Sequence, residues 1–182
     1  NGVIDLKEAP EQKKNLFGYF NFPFLNKEDL FTAPDWVEDQ VWYSIFPERF
    51  HNGNSKTNPD NVLEWGVTDK YSNEQRFGGD LQGVINKLDY LHELGVTGIY
   101  MTPIFESFSS HKYDIIDYKK IDPAFGTNIT FKRLVEKAHS LGMKVTLDAV
   151  FNHCSISHPF FIDVVEKGTD SEYFDCFHVI NP

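Results

Sequence analysis

Cysteine is scarce in this chain of 182 residues, which contains only Cys154 and Cys176. The pair forms no C-x-x-C motif and is too small for the disulfide framework of a compact secreted protein. The sequence also lacks the basic-then-apolar start of a secretory signal peptide. These absences predict reduced thiols and a cytoplasmic protein. The first residue is Asn1 and not an initiator Met, so we expect the chain to begin within a longer protein.

Positive charge and long apolar runs are also limited. Lys and Arg total 17 against 27 Asp and Glu, which gives a formal net charge of −10. Such a surface repels the phosphates of nucleic acids and the anionic headgroups of membranes. No apolar run reaches the ~20 residues of a transmembrane helix. We expect neither nucleic acid nor membrane as a partner, while 41% hydrophobic residues suffice for a globular core.

Three short apolar runs alternate with two helical patterns. The first helical pattern has apolar residues on one face, with Asp80 as its N-cap and Gly95 at its end. The second ends at Gly142. The predicted strands are residues 41–45, 96–101 and 144–150. The order β-α-β-α-β predicts an α/β fold with a parallel sheet.

Longer segments without periodicity separate these elements. Residues 51–79 and 104–127 are predicted loops, and loops of this length in a compact domain are usually functional or stabilised by a metal. An aromatic strand is predicted at residues 16–22 and a short helix at 160–167. Residues 33–35, Ala-Pro-Asp, are a predicted junction, because proline continues neither a helix nor a strand ladder.

Polar residues follow the last predicted strand. Asp148 and His153 lie where that strand ends. In parallel α/β sheets the chemistry collects at the strand ends, because helices cover the faces. A carboxylate and an imidazole in this place indicate a functional site. A turn-capping aspartate and a structural histidine would produce the same pattern, so the motif alone leaves both interpretations open.

Five strings in the chain resemble the α-amylase family of glycoside hydrolases, above all its neopullulanase, cyclomaltodextrinase and maltogenic amylase branch. They are VWYSIFPERF at 41–50, FGGDLQG at 77–83, GIYMTPIF at 98–105, HKYD at 111–114 and DAVFNH at 148–153. The strings occur in the family's order and spacing, and the resemblance extends over residues 30–182.

The resemblance implies a fold and a domain organisation. The chain would form the front part, the first three β/α units, of a (β/α)8 TIM barrel. Residues 1–33 would be the end of an N-terminal β domain or a linker, and residues 34–153 the barrel units. Residues 154–182 would begin domain B, the excursion that follows the third strand in this family.

The resemblance also implies roles for individual side chains. Tyr113 matches the aromatic residue that stacks under the sugar next to the cleaved bond. His153 matches an imidazole that hydrogen-bonds a hydroxyl of that sugar, and Asp148 matches a carboxylate that orients catalytic groups. His111 and Asp114 lie in the same matched loop and are further substrate-binding candidates. A core tyrosine, a histidine behind the site and a turn-capping aspartate are the structural alternatives.

The implied activity is retaining hydrolysis, together with transfer, of α-1,4 and α-1,6 bonds in maltodextrins, cyclodextrins or pullulan. The family's catalytic Asp, Glu and Asp follow strands four, five and seven, which this sequence does not contain. A retaining enzyme needs a close carboxylate pair, so we expect the chain alone to be inactive. The full-length protein is expected to bind α-glucan oligosaccharides and to form a homodimer. The alternative is a non-catalytic relative that uses the barrel for binding or assembly.

Calcium is a further implication of the resemblance. The candidate ligands are Asn52, Asn54, Asn58, the Gly78 carbonyl and Asp80. Ca²⁺ takes six to eight oxygen ligands, which amides, carboxylates and carbonyls provide. Thr57 and Asn58 stand where the family pattern has Asn and Asp, so weaker binding is expected. An asparagine-rich loop held by turn chemistry is the alternative.

Zinc and nucleotide binding are both disfavoured by spacing. His153, Cys154, His158 and Cys176 are zinc-type ligands, but they match no standard structural zinc motif. A phosphate-binding turn would follow the first strand directly, whereas Gly78 and Gly79 come some 30 residues later.

Overall fold

A computed structural model describes residues 32–64, 66, 67, 72 and 74–180. The chain divides into two units after Glu38, and the described part of the first contains a single turn of 3-10 helix, Asp35–Val37. The strand predicted at 16–22 lies outside the described residues. In the second unit the order is β1 (Trp42–Ile45), α1 (Leu81–Glu93), β2 (Gly98–Met101), β3 (Phe105–Ser107), β4 (Ile115–Ile121), α2 (Asn128–Ser140), β5 (Lys144–Leu147) and α3 (Pro159–Lys167).

A parallel sheet of three strands lies at the centre of the second unit. The strand order is β1-β2-β5, and Ser44, Tyr100 and Thr146 lie side by side in its register. The predicted parallel sheet and its three strands are therefore confirmed. Strands β1 and β2 begin later than the predicted strands. Strand β5 ends earlier than predicted, at Leu147, directly before Asp148.

The two faces of the sheet have different surroundings. Ile45, Ile99 and Met101 are almost fully buried in the core that also contains the apolar faces of α1 and α2. On the opposite face Trp42 remains 42% exposed. Gly98 allows the Trp42 ring to lie across the neighbouring strand, because a Cβ at Gly98 would be 2.7 Å from that ring.

The helices begin and end at residues with capping side chains or left-handed backbone. Asp80 caps α1 by accepting the N–H of Gly83 at 2.6 Å, and Gly95 follows the helix with φ +90°. Both predictions are confirmed. Thr127 caps α2 through a reciprocal capping box with Thr130, and Gly142 ends the turn after it with φ +74°.

The predicted loop at 104–127 is wrong, because strands β3 and β4 form an antiparallel hairpin there. The hairpin has irregular register on both sides of Glu106. Lys119 and Lys120 are exposed near the end of β4, which interrupts the alternation of apolar and polar residues that identifies a strand. The hairpin carries the loop 108–114 to the carboxyl end of the parallel sheet.

Two buried carboxylates hold described residues at both ends of the other long segment, residues 51–79. Glu48 accepts the N–H groups of Phe77 and Gly78. The Asp80 side chain accepts the N–H groups of Gly53 at 3.3 Å and Asn54 at 2.7 Å, in addition to capping α1. Since both carboxylates are almost fully buried, these hydrogen bonds hold the two ends of the segment in place, and Ser55–Thr57 forms a turn of 3-10 helix between them.

No helix among the described residues is long and apolar enough to cross a membrane.

Candidate functional site

Asp148, directly after β5, accepts hydrogen bonds from two tyrosines. The hydroxyls of Tyr100 and Tyr113 each donate to Oδ2 of Asp148 at 2.7 Å. The backbone N–H of Asp148 donates to the Met101 carbonyl at 3.0 Å, which fixes the residue to the sheet. Tyr100 lies on β2 and Tyr113 in the β3–β4 loop. One carboxylate oxygen at the carboxyl end of the sheet thus joins three separate segments.

The shared carboxylate changes the acidity of both phenols. The hydrogen bond to Asp148 is the main reason why the pKa of Tyr113 rises to about 12. The hydrogen bond to Asp148 likewise raises the pKa of Tyr100. Both hydroxyls therefore stay protonated donors at neutral pH. Tyr113 remains 36% exposed, so a ligand can reach it while its hydroxyl is anchored.

The loop that carries Tyr113 is closed around Asp114. Oδ1 of Asp114 accepts the hydroxyls of Ser107 and Ser109, and Oδ2 accepts the backbone N–H of Ser109. Burial alone would raise the pKa of Asp114, but these hydrogen bonds hold it below its usual value. Asp114 thus stabilises the loop, and its contact with substrate stays a prediction.

His111 supports Tyr113 from the same loop. Nδ1 of His111 accepts the backbone N–H of Tyr113 at 3.2 Å, and the two ring centroids are 5.9 Å apart. The hydroxyl of Ser109 lies 3.1 Å from the same nitrogen. Because Nδ1 accepts an N–H, the proton of the neutral ring belongs on Nε2. His111 therefore orients the loop and leaves Nε2–H as a donor.

A buried ion pair lies behind this loop. Nζ of Lys112 is 2.7 Å from Oδ2 of Asp122 and donates to the Ser107 carbonyl at 3.1 Å. Both side chains are nearly inaccessible. Burial lowers the pKa of Lys112, and the charge of Asp122 opposes that shift. Lys112 has φ +63°, a conformation rare for a residue with a side chain, so the pair holds a strained backbone next to Tyr113.

His153 follows Asp148 in the segment after β5. Its ring is exposed, and Nδ1 is 3.4 Å from Oδ1 of Asn152. The Tyr118 hydroxyl donates to the His153 carbonyl at 3.0 Å. Within the part of the chain that the structure describes, no hydrogen bond or ring contact joins the His153 imidazole to Tyr113 or Asp148. The structure thus brings together Tyr113, Asp148, His111 and Asp114, and the described contacts do not include His153 in this group.

Comparison with known proteins identifies the family to which this chain belongs. Residues 44–182 match the sequence profile of the alpha amylase catalytic domain. The chain belongs to the α-amylase family. The resemblance read from the five sequence strings is therefore confirmed, and the α-amylase catalytic domain is the fold to which the sheet, the helices and the hairpin belong.

Individual relatives within the α-amylase family are similar over most of the chain. It is 56% identical over 161 residues to the maltogenic alpha-amylase of Bacillus acidopullulyticus, covering 88% of this chain and 27% of that protein. It is 53% identical over 161 residues to the intracellular maltogenic amylase of Bacillus subtilis strain 168, with the same coverage. The chain thus spans little more than a quarter of the length of these two relatives.

A solved structure of the α-amylase family shows the same similarity in three dimensions. The cyclic alpha-maltosyl-(1→6)-maltose hydrolase of Arthrobacter globiformis, in complex with cyclic alpha-maltosyl-(1→6)-maltose, superposes with a TM-score of 0.74 at 47% identity. The match covers 82% of this chain and 33% of that one. The comparison supports the fold of the described part.

The calcium ligands implied by the α-amylase resemblance are only partly assembled. Nδ2 of Asn52 donates to Oδ1 of Asn58 at 2.9 Å, and both amides lie beside Gly78. The Asn54 amide oxygen accepts the N–H of Lys56. Both carboxylate oxygens of Asp80 already accept backbone N–H groups. The set offers one engaged carboxylate and neutral oxygens, which is a poor match to the six to eight oxygens that Ca²⁺ takes.

Calcium binding at this loop stays a prediction, and the geometry makes it a weak one. We expect 1 mM CaCl₂ to raise the melting temperature by less than ~2 °C relative to EDTA, because a ligand near its Kd stabilises by well under 1 kcal/mol. Differential scanning calorimetry measures the shift. Asn58→Asp, which adds a carboxylate to the same loop, is the matched variant and should respond more strongly. A large shift in the wild type would contradict this expectation.

No group of three or more His, Cys, Asp or Glu side chains in the described ranges is arranged to hold a metal ion. The four residues weighed as zinc ligands all line one cavity at the end of β5. Cys154 and Cys176 are free thiols, and burial raises the pKa of Cys154. A high thiol pKa opposes formation of the thiolate that zinc binds.

We expect His158 to make the free energy of unfolding depend on pH. Its Nδ1 accepts the N–H of Phe160 at 3.2 Å and so caps α3. Burial lowers the pKa of His158, against a smaller opposing effect of Asp117. Since the folded state holds the proton less tightly than the unfolded state, stability is complete above pH ~6.5 and falls as pH decreases through the folded pKa.

Urea unfolding between pH 8 and pH 5 measures this effect. His158→Asn keeps a capping oxygen and removes the titration, so its stability should vary less between pH 7 and pH 5 than that of the wild type. His139→Gln, at an exposed position on α2, is the matched control. Equal pH dependence in His158→Asn and the wild type would refute the assignment.

Sequence reasoning missed two aromatic residues of this region. Tyr100 donates to Asp148, and Tyr118 donates to the carbonyl of Val150 at 2.7 Å as well as to that of His153. Strand alternation places Tyr100 on the same face as Gly98, but it does not indicate the contact with Asp148. Tyr118 lies in the hairpin that the sequence did not predict, so no signal pointed to it.

Proposed function

We propose that this chain supplies the sugar-binding part of the catalytic domain of an α-glucan-acting glycoside hydrolase. The observation that carries the proposal is the anchoring of Tyr113 and Tyr100 on Oδ2 of Asp148. An aromatic ring held by its hydroxyl offers a preorganised platform to the apolar face of a sugar. The platform lies at the carboxyl end of a parallel sheet, where α/β folds place their sites.

The proposal extends to the domain organisation. Residues 34–153 are the first three β/α units of a (β/α)8 barrel, residues 1–33 end an N-terminal β domain, and residues 154–182 begin domain B. Three adjacent parallel strands with helices on one face support the barrel. On the other face Trp42, Tyr100 and Thr146 border a shared hollow, as side chains directed towards a barrel interior would.

In the proposed reaction each residue of this chain binds or orients, and none forms a bond to the sugar. Tyr113 stacks beneath the sugar next to the cleaved bond, and His153 donates to one of its hydroxyls. Asp148 holds the tyrosines, while His111 and Asp114 hold the loop. The nucleophile and the proton donor of a retaining mechanism are separate carboxylates about 5 Å apart. We assign them to strands outside this chain.

The proposed substrates are α-1,4 and α-1,6 glucans such as maltodextrins, cyclodextrins and pullulan. The names of similar proteins, a maltogenic amylase and a cyclic maltosyl-maltose hydrolase, support this class. We further propose a cytoplasmic location. Two free thiols and the similarity to an enzyme called intracellular support it.

Hydrolysis assays test the proposal. The longest form of the protein that contains residues 1–182, called the intact protein below, should release reducing sugar from maltodextrin, cyclodextrin or pullulan. Residues 1–182 alone should release none. Binding of maltooligosaccharides by the intact protein without any hydrolysis would instead favour the non-catalytic scaffold. Hydrolysis by residues 1–182 alone would show that the catalytic carboxylates lie within them.

We also propose that the full-length protein is a homodimer, and we expect residues 1–182 alone to self-associate. In the described sheet β1 and β5 each leave one edge unpaired, and the face with Trp42 is open. Such edges and faces favour association. Size exclusion with light scattering should show a dimer of the intact protein and a dimer or larger species of residues 1–182 alone. If residues 1–182 alone were a monomer with a sharp cooperative melt, the prediction of self-association would be contradicted. A monomeric intact protein would contradict the homodimer.

A further inference from the structure

The backbone between β5 and α3, residues 148–158, contains neither helix nor strand. Two backbone hydrogen bonds tie it to neighbouring strands. The N–H of Asp148 donates to the Met101 carbonyl at 3.0 Å, and the N–H of Ser155 donates to the Ile115 carbonyl at 2.9 Å. Because a segment without regular structure has no hydrogen-bond ladder of its own, its path between these two points depends on contacts with side chains.

The hydroxyl of Tyr118 provides such a contact in the middle of this segment. It lies 2.7 Å from the Val150 carbonyl oxygen and 3.0 Å from the His153 carbonyl oxygen. A phenol has one proton to donate, so the two carbonyls share it. The shared proton holds together two backbone groups on either side of a bend at Asn152.

Tyr118 is itself held in strand β4 by its neighbours. Its half-buried ring contacts those of Phe105 on β3 and His158 at the start of α3, with centroid distances of 6.5 Å and 5.6 Å. Burial raises the pKa of Tyr118, so its hydroxyl remains a proton donor at neutral pH. Packing of the ring keeps the hydroxyl in one place, and the hydroxyl can therefore act as a fixed support for the segment after β5.

The side chain of His153 depends on this support. Its ring is exposed, and the distance of 3.4 Å between Nδ1 and Oδ1 of Asn152 is long for a hydrogen bond. Only two torsions join the imidazole to the main chain, so the backbone of residue 153 largely determines where the ring can reach. The carbonyl that Tyr118 holds belongs to that same residue. We therefore expect loss of the Tyr118 hydroxyl to move the ring without changing its chemistry.

We propose that Tyr118 is a positioning residue for His153, because the Tyr118 hydroxyl holds the backbone from which the imidazole reaches the sugar. The inference rests on the proposed function, which gives His153 its contact with a sugar hydroxyl. Tyr118 acts on the reaction only through His153 and does not touch the substrate. Misplacement of a binding group by ~1 Å can cost about 100-fold in rate, so one hydroxyl behind the site is enough to change activity measurably.

A double-mutant cycle on kcat/KM of the intact protein for maltotriose tests this role. Tyr118→Phe keeps the ring and removes only the hydroxyl, and it should lower kcat/KM about three- to tenfold, the size of one neutral hydrogen bond. His153→Ala removes the group that Tyr118 positions. In the His153→Ala background, Tyr118→Phe should change kcat/KM less than about twofold, because the positioned ring is already absent. A merely structural role would give the same factor in both backgrounds.

Two further variants serve as controls. Tyr43→Phe removes the hydroxyl of another half-buried tyrosine, on β1, and should match the wild type in kcat/KM. Tyr118→Leu removes the ring together with the hydroxyl, so it should lower kcat/KM at least as much as Tyr118→Phe. Melting curves verify that each variant is folded.

The outcomes distinguish this role from the proposed function. No hydrolysis by the intact wild type would overturn both. Full activity of His153→Ala would contradict the sugar contact of His153, and the role of Tyr118 would fall with it. When the wild type is active and His153→Ala is impaired, three results would overturn the role of Tyr118 alone. They are an unchanged kcat/KM in Tyr118→Phe, an equal loss in both backgrounds, and a Tyr118→Phe variant that does not fold.

Discussion

Replacing Tyr113 by Ala is expected to lower kcat/KM of the intact protein for maltotriose by at least ~100-fold, the size of a loss of precise substrate positioning. The variant removes the ring platform and one of the two hydroxyls on Asp148. Tyr113→Phe keeps the ring and loses only the hydroxyl. It should reduce kcat/KM about tenfold, since losing a hydrogen bond to a charged group at the lower end of the usual range costs about 1.5 kcal/mol.

A double-mutant cycle tests whether the two tyrosines act through Asp148. Tyr100→Phe and Tyr113→Phe remove donors to the same carboxylate oxygen, so their combined effect should differ from the sum by ~0.5 kcal/mol or more. Tyr90→Phe is the matched control, because Tyr90 is 57% exposed on α1. Additive effects of the two site variants would show that the tyrosines act independently of each other.

Replacing Asp122 by Ala should destabilise the fold by ~3–5 kcal/mol, because it leaves the buried ammonium of Lys112 without its partner. Asp122 also accepts the N–H groups of Ser107 at 3.1 Å and Ala124 at 2.9 Å. The hairpin and the loop with Tyr113 depend on these contacts. Urea unfolding of the intact protein gives the change in the free energy of unfolding.

An exposed ion pair of the same hairpin provides the control. Lys120 and Glu106 are 2.7 Å apart, with the Lys120 side chain 54% exposed. Glu106→Gln should cost less than ~1 kcal/mol, as exposed pairs usually do. Similar losses for Asp122→Ala and Glu106→Gln would show that the buried pair has no special role in holding the loop.

The elements predicted best are those specified by local patterns. Helix α1 was read correctly because its apolar face, the Asp80 cap and Gly95 all indicate the same limits. The parallel sheet followed from apolar runs separated by helices. The β3–β4 hairpin was missed, because strand β3 has only three residues and β4 exposes Lys119 and Lys120. Pairing across the irregular register at Glu106 leaves no periodic signal in either strand.

The candidate site was also predictable only where local sequence strings identify its residues. Resemblance pointed to Tyr113 and Asp148, and the structure joins them by a hydrogen bond. The role of Tyr100 depends on a contact with a residue 48 positions away, which no local pattern encodes. Asp80 shows the opposite case. Sequence patterns predict it both as a helix cap and as a calcium ligand; its bond to the N–H of Gly83 confirms the cap, and calcium binding stays a prediction.

Binding of β-cyclodextrin and maltotriose to the intact protein, followed by tryptophan fluorescence, shows whether the tyrosines on Asp148 hold the sugar. Wild type, Tyr113→Ala and Tyr90→Phe should be compared under the same conditions. We expect saturable binding in the wild type and in Tyr90→Phe, and its loss in Tyr113→Ala. Undiminished binding by a folded Tyr113→Ala variant would contradict the claim that this chain holds the sugar through the tyrosines on Asp148.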